Sequence, residues 1–231
     1  MPRAAPSARL EQLIESAARV FAEKGYARAQ MSDIARLMGV SQGALYNYVE
    51  SKEALFALLI NPALAQRAAD GQPRLPVPTP SPGATVNALR RELAKRTELP
   101  RLARALEAER REDPGTELAE VVEELYGVVA ESWSTAAAIE RSALDEPELA
   151  RAYFLEARRS VIDRMTAYLE ARIAGGEFRA VPDPATAARL IIESVTWFAR
   201  HRHGDPDSGT IDDQRGCATV VDFVVGSLVP R

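Results

Sequence analysis

Four residues that stop or cap helices, Gly25, Gly39, Ser41 and Ser51, stand within 27 residues near the start of this chain. Glycine enters the left-handed backbone that ends a helix, and a serine at the N-cap accepts from the free N–H groups of the first turn. The helices between these marks must be very short. Ser7 is placed to cap a first helix whose Leu10, Leu13, Ile14, Ala17 and Phe21 fall on one stripe, with Gly25 as its stop. A second helix is expected over about 31–38, burying Ile34, Ala35 and Met38, with Gly39 ending it and Val40 plugging the turn. Ser41 should cap a third, from Gln42 to about Tyr48, and Ser51 a fourth starting at Lys52. Asn61-Pro62 should kink that fourth helix, or stop it and restart it with Asn61 as cap.

After this cluster the punctuation changes. Residues 71–84 carry five prolines and no helical period, so they read as an extended, semi-rigid connector and a domain boundary. Apolar spacing then predicts helices over about 85–97, 100–111, 116–140 and 146–174, the last capped by Asp145 with Pro147 in its first turn. Gly175, Gly176 and the run "VPDP" break the chain. Asp183 and Pro184 open a helix to about His203, and Thr210 with Asp213 opens one ending near Val229. The expected fold is all-α: a three-helix N-terminal domain over 1–60, a helix end and connector over 61–84, and a helical bundle over 85–231. Alanine, leucine, arginine and glutamate dominate, aromatics are only 6%, and no segment alternates like a strand.

The single cysteine, Cys217, excludes an intramolecular disulfide framework and suits a reducing compartment. The apolar run "ALFALLI" is far too short to span a bilayer, and the N-terminus lacks a continuous apolar signal segment. A cytoplasmic protein with no membrane partner is expected. Net charge is −4, yet residues 1–60 hold seven Lys/Arg against six Asp/Glu, so the acidic excess lies later in the chain. That distribution permits a DNA-binding N-terminal domain without demonstrating one.

Two short helices joined by a tight glycine turn form the helix-turn-helix arrangement, whose second helix enters a major groove. Ile34, Ala35, Val40, Leu45 and Val49 suffice to hold the cluster, leaving Gln42, Gly43, Ala44, Tyr46, Asn47 and Tyr48 to face a partner. Gln42 and Asn47 have the amide geometry that pairs with adenine, and Ala44 can meet a thymine methyl. Tyr46 and Tyr48 offer hydroxyls to phosphates. Lys52 lies in the first turn of a helix whose N–H groups favour an anion. Arg28, Gln30 and Ser41 complete the candidate DNA-binding set, with Arg36 and the arm residues Arg3 and Arg9 as further cations.

The run "FAEKGYARAQMSDIARLMGVSQGALYNYVESKEAL" resembles the DNA-binding domain of the TetR family of bacterial transcriptional regulators. The matching features, in order, are Gly-Tyr, a helix with Asp-Ile-Ala, then Gly-Val-Ser, Leu-Tyr and Ser-Lys-Glu. Two departures stand out: Ala29-Gln30 replaces a usual threonine pair, and Val49 replaces a common aromatic. The resemblance implies that Gln42, Gly43 and Ala44 face bases, that Tyr46, Asn47 and Tyr48 contact the duplex, and that Lys52 binds a phosphate. It also implies a helical C-terminal domain that binds a small-molecule effector and forms a homodimer through its last two long helices. Double-stranded operator DNA is the expected partner, and a two-fold dimer would require a palindromic operator.

Tyr126, Trp133, Tyr153, Phe154, Arg158 and Trp197 are candidates to line an apolar effector cavity, against the plainer reading that they pack the core. His201 and His203 with Asp205 and Asp207 could be imagined as a metal site, but residues two apart on a helix diverge, and polar helix-end positions are the simpler reading. No metal or cofactor is expected. A glycine-rich phosphate loop and HExxH are absent, which disfavours an enzyme. A helical protein-binding adaptor remains as a further alternative, though it would not require these recognition-helix residues.

Overall fold

The computed structural model describes residues 6–65, 74–107 and 113–230. Among them every regular element is a helix, apart from one isolated bridge between Val49 and Val77. None is long and apolar enough to cross a membrane. The chain forms two compact units: residues 1–94 with 134–154, and residues 95–133 with 155–231. The compact units are therefore cut differently from the expected segments 1–60, 61–84 and 85–231.

In the first unit, α1 (Pro6–Arg28), α2 (Met31–Met38), α3 (Gln42–Leu45) and α4 (Lys52–Ile60) follow the expected order. Gly25 breaks α1 at φ 75°, and Gly39 ends α2 at φ 68°. Ser51 caps α4 by accepting from the Ala54 N–H at 3.0 Å. Asn61 stops that helix and caps a short 3₁₀ turn, Pro62–Leu64, so the chain restarts there. All seven residues from Ala54 to Ile60 are buried, which makes α4 the central rod. Leu13, Phe21, Ile34, Leu45 and Val49 pack around it, each contributing about 1.5–3 kcal/mol of burial. The Phe21 and Phe56 rings meet edge to face at 5.2 Å.

Several local expectations need correction. Ser41 makes no side-chain cap bond, and α3 ends at Leu45, because 46–48 form tight turns in which Tyr48 N–H donates to Leu45 O at 2.9 Å. Met38 is only half-buried. Residues 71–73 of the connector, like 108–111 of the helix expected over 100–111 and Arg3, lie outside the described residues.

Helix α5 (Ala84–Arg96) belongs to the first unit up to Ala94. In the second, α6 (Pro100–Glu107), α7 (Pro114–Glu131), α10 (Arg159–Ala174), α11 (Pro184–Ala199) and α12 (Asp213–Leu228) pack around Leu118, Val122, Met165, Tyr168 and Val195. Between α7 and α10 run α8 (Trp133–Ala143), α9 (Pro147–Ala150) and a π-helical stretch, Arg151–Arg158. The helix expected over 116–140 is broken because Ser132 Oγ bonds back to Val128 O at 3.2 Å as the backbone leaves the helix. Asp145 caps nothing: Glu146 holds the N-cap position, and Asp145 pairs with Arg28 and Arg141 instead. Helix α11 stops at Ala199, and Asp212 rather than Thr210 caps α12 by accepting from Arg215 N–H at 2.8 Å.

Candidate nucleic-acid interface

The turn between α2 and α3 closes on its own backbone. Gly39 N–H donates to Arg36 O at 3.2 Å and Val40 N–H to Ala35 O at 3.0 Å, a closure that needs the left-handed residue at 39. Asp33 Oδ2 accepts from Gln30 N–H at 3.1 Å, so Gln30 starts α2 without the hydroxyl a threonine would bring. Lys24 reaches Asp33 at 2.9 Å, and that bond chiefly holds the Asp33 carboxyl below its ordinary value of 3.8.

Beyond the turn, Leu45 and Val49 are fully buried and act as the floor of α3. Ser41, Gln42, Gly43 and Asn47 are exposed, Tyr46 is 44% exposed, and Ala44 and Tyr48 are half-buried. Gly43 has open space where a Cβ would stand. One short stretch thus brings together seven of the ten candidate DNA contacts, with carboxamide, hydroxyl and backbone groups facing outward.

The other three are engaged within the protein. Lys52 Nζ donates to the carbonyls of Tyr26 at 2.8 Å, Ala29 at 3.0 Å and Ala27 at 3.4 Å, and stands 4.5 Å from the centre of the Tyr26 ring. Those carbonyls are the ones that the break at Gly25 leaves at the end of α1. Burial lowers the Lys52 ammonium below the usual lysine value, partly offset by Glu146. The side chain works as a tie, a role that no local spacing announces. Arg28 pairs with Asp145 at 3.2 Å, and Gln30 Oε1 accepts from Ser32 Oγ at 3.4 Å.

A second tie comes from the connector. Val77 N–H donates to Tyr48 O at 2.8 Å, and Glu50 N–H donates to Val77 O at 3.0 Å. Thr79 N–H donates to Glu50 Oε2 at 2.9 Å, and its hydroxyl to Ser51 Oγ at 2.9 Å. The proline-rich strand therefore pins the turn that follows α3. Only its extended, unpaired backbone hinted at such docking.

The letters Gly39-Val40-Ser41-Gln42-Gly43 spell G-x-S-x-G, the pattern of a nucleophile elbow. An elbow joins a strand to a helix and sets its serine beside a histidine. Ser41 instead joins two helices, and both histidines belong to the second unit.

Two family models match the chain, "Bacterial regulatory proteins, tetR family" over residues 13–59 and "AefR-like transcriptional repressor, C-terminal domain" over residues 129–203. The chain belongs to the TetR family. Its helix-turn-helix segment is 38% identical over 55 residues to the fatty acid metabolism regulator protein of Bacillus subtilis, 24% of this chain and 28% of that one. The matched segment covers only 17% and 28% of the first two curated relatives. Over the whole fold, this TetR-family chain is similar to the ketosteroid transcriptional regulator KstR2 of Mycobacterium tuberculosis, with a TM-score of 0.58, 18% identity and 96% of each chain covered. FadR of Bacillus subtilis, solved in complex with stearoyl-CoA, has a TM-score of 0.51 and 18% identity, with 94% of this chain and 98% of that one covered.

Of the six candidate cavity residues of this TetR-family member, Tyr153 and Phe154 belong to the first unit and the other four to the second. Tyr153 and Phe154 pack against the core of the first unit. In the second, Tyr126 OH donates to Phe198 O at 3.2 Å, Arg158 pairs with Glu193, and Trp197 meets Phe198 edge to face. Trp133 stacks on His203 at 4.5 Å, so that imidazole is a packing partner, and no group that could hold a metal ion occurs among the described residues.

Proposed function

We propose that this protein is a sequence-specific DNA-binding transcriptional regulator, a ligand-responsive repressor that binds a palindromic operator as a homodimer. The outward polar set on α3 and the turn that follows it, Gln42 to Asn47 over the buried floor of Leu45 and Val49, carries the reading. Its carboxamides suit base edges and its hydroxyls suit phosphates. Lys52 and Arg28, engaged internally, support the interface by holding the end of α1 rather than by meeting phosphate.

Leu190 on α11 and Phe223 on α12 are 68% and 73% exposed, apolar positions that suit a self-complementary dimer surface through these two helices. Such a dimer sets two α3 helices on half-sites about one turn of DNA apart, ~34–36 Å, or a multiple of it. Support for a small-molecule effector comes from the match to an AefR-like C-terminal domain and from the fold neighbour solved with stearoyl-CoA. An effector acts by binding the operator-incompetent state more tightly, which shifts the population away from DNA.

Selection of bound duplexes from a random library, at stated salt, tests this reading. The expected result is a palindromic consensus bound far more tightly than its scrambled form. A folded dimer that enriches no sequence, with or without effector-stripping purification, would sink it.

A further inference from the structure

Between residues 21 and 65, the stretch that carries α2, α3 and α4, every lysine and arginine is already engaged. Lys24 and Arg36 face Asp33 at 2.9 and 3.5 Å, Arg28 pairs with Asp145, and Lys52 closes the end of α1. The exposed set from Gln42 to Asn47 thus offers amides and hydroxyls beside no uncommitted cation. A duplex is held largely through its phosphates, and lysine and arginine supply that attraction. Another segment must then bring the charge.

The proline-rich strand of the first unit is placed to do so. Its bridge to Val49 is parallel, so the residues ahead of Val77 run on the side of those ahead of Val49, toward Asn47 and Tyr46 rather than along α4. Leu75 and Val77 turn inward against the core, while Arg74, Pro76 and Pro78 are exposed. Arg74 stands three residues before Val77, which limits the separation of their Cα atoms to about 11 Å. Among the described residues no hydrogen bond or ion pair engages its guanidinium. Glu50, the acidic residue of this turn, is occupied by the Thr79 N–H. Pro76, Pro78 and Pro80 fix φ, and the bonds of Val77 and Thr79 to Tyr48, Glu50 and Ser51 anchor the strand. A cation on so restrained a segment loses little further freedom when it meets an anion. The guanidinium fork also matches two phosphate oxygens.

We infer that Arg74 is a DNA-contacting residue outside the helix-turn-helix, donating to a phosphate of the duplex beside the end of α3, with the proline-rich strand as its mount. The inference rests on the DNA-binding reading above. It adds a contact from a segment beyond the matched residues 13–59.

Fluorescence anisotropy with the operator duplex recovered by selection, and with its scrambled form, between about 50 and 200 mM salt, tests it. Arg74→Gln should weaken both duplexes alike, about fivefold or more at the lower salt, and make the slope of log K against log salt shallower by about 0.9 per subunit. Arg74→Lys should keep the parent slope. Arg104→Gln, which removes an exposed cation of the second unit, should change neither slope nor affinity. None of these exposed substitutions should move the urea midpoint. An unchanged slope in Arg74→Gln, an equal loss in Arg104→Gln, or a loss confined to one base pair would overturn the assignment, and a parent that still prefers its operator would leave the DNA-binding reading standing. A parent that prefers no duplex removes that reading and the role of Arg74 with it.

Discussion

In the first unit, seven successive residues of α4 are buried and apolar, and the polar side chains of α3 face solvent. In the second, Glu117, Tyr168 and Arg172 lie together inside the core at 3% exposure or less. Arg172 Nε donates to Glu117 Oε1 at 2.7 Å, Tyr168 OH donates to the same oxygen at 3.1 Å, and Arg172 Nη2 donates to Ala105 O at 2.7 Å. Burial and the adjacent Glu117 carboxylate push the Tyr168 hydroxyl far above the usual tyrosine value. The hydrogen bonds it donates to Glu117 hold the Arg172 guanidinium in its charged form. The contrast is one of separation. The first unit keeps its exposed polar set outside an apolar core, so those side chains can change without loss of fold. The second unit spends its charges on fixing how α6, α7 and α10 meet.

Arg172→Met should produce the largest effect, about 3–5 kcal/mol of lost stability in urea unfolding, because it leaves the Glu117 carboxylate buried and uncompensated. Adding Glu117→Leu to Arg172→Met should recover part of that loss, because Glu177, 3.4 Å from Arg172 Nε, still loses the guanidinium. If the single substitution is mild, the buried pair does not distinguish the units as described.

Lys52→Met should cost about 1.5–3 kcal/mol, since three carbonyls lose a charged donor. The salt dependence of DNA binding should stay unchanged. A slope shallower by about 0.9 per subunit would return Lys52 to the phosphate backbone. Gln42→Ala should instead leave the unfolding curve within about 0.5 kcal/mol of the parent and reduce discrimination at one base pair by about 1–3 kcal/mol, read by competition with single-position operator variants. Gly39→Ala should cost about 1 kcal/mol, measured in the same unfolding experiment, because its φ of 68° lies in left-handed space.

The smallest effect concerns acid. Lys24 and the Gln30 N–H hold the half-buried Asp33 carboxyl below its ordinary value of 3.8. A carboxyl lowered in the folded state contributes stability that is present above its unfolded value and lost as pH falls through the folded one. Asp33→Asn should therefore flatten stability against pH below about 4, and nowhere else. Thermal melts across that range would show it.

Much of the first sixty residues was legible because its signals are local. Gly39, Ser51 and Asn61 act on backbone groups one to three residues away, and the apolar stripe of α1 follows from 3.6 residues per turn. The same logic falls short where a polar side chain has a distant choice: Asp145 looked like a cap but pairs with Arg28, and Lys52 reaches back to the carbonyls at the end of α1. For the six aromatic and basic cavity candidates spacing has a related limit, since it shows that residues share a helix face and not which core that face joins.

By itself the sequence determined the helical class, the turn at Gly39, the interruption at Asn61-Pro62 and the outward polar face of α3, all consequences of backbone geometry within a few residues. Only the tertiary structure decided that Val77 pins the turn after α3 and that Glu117 finds Arg172 at a separation of 55 residues. Those partners are chosen by packing, which brings together groups that no periodicity along the chain relates.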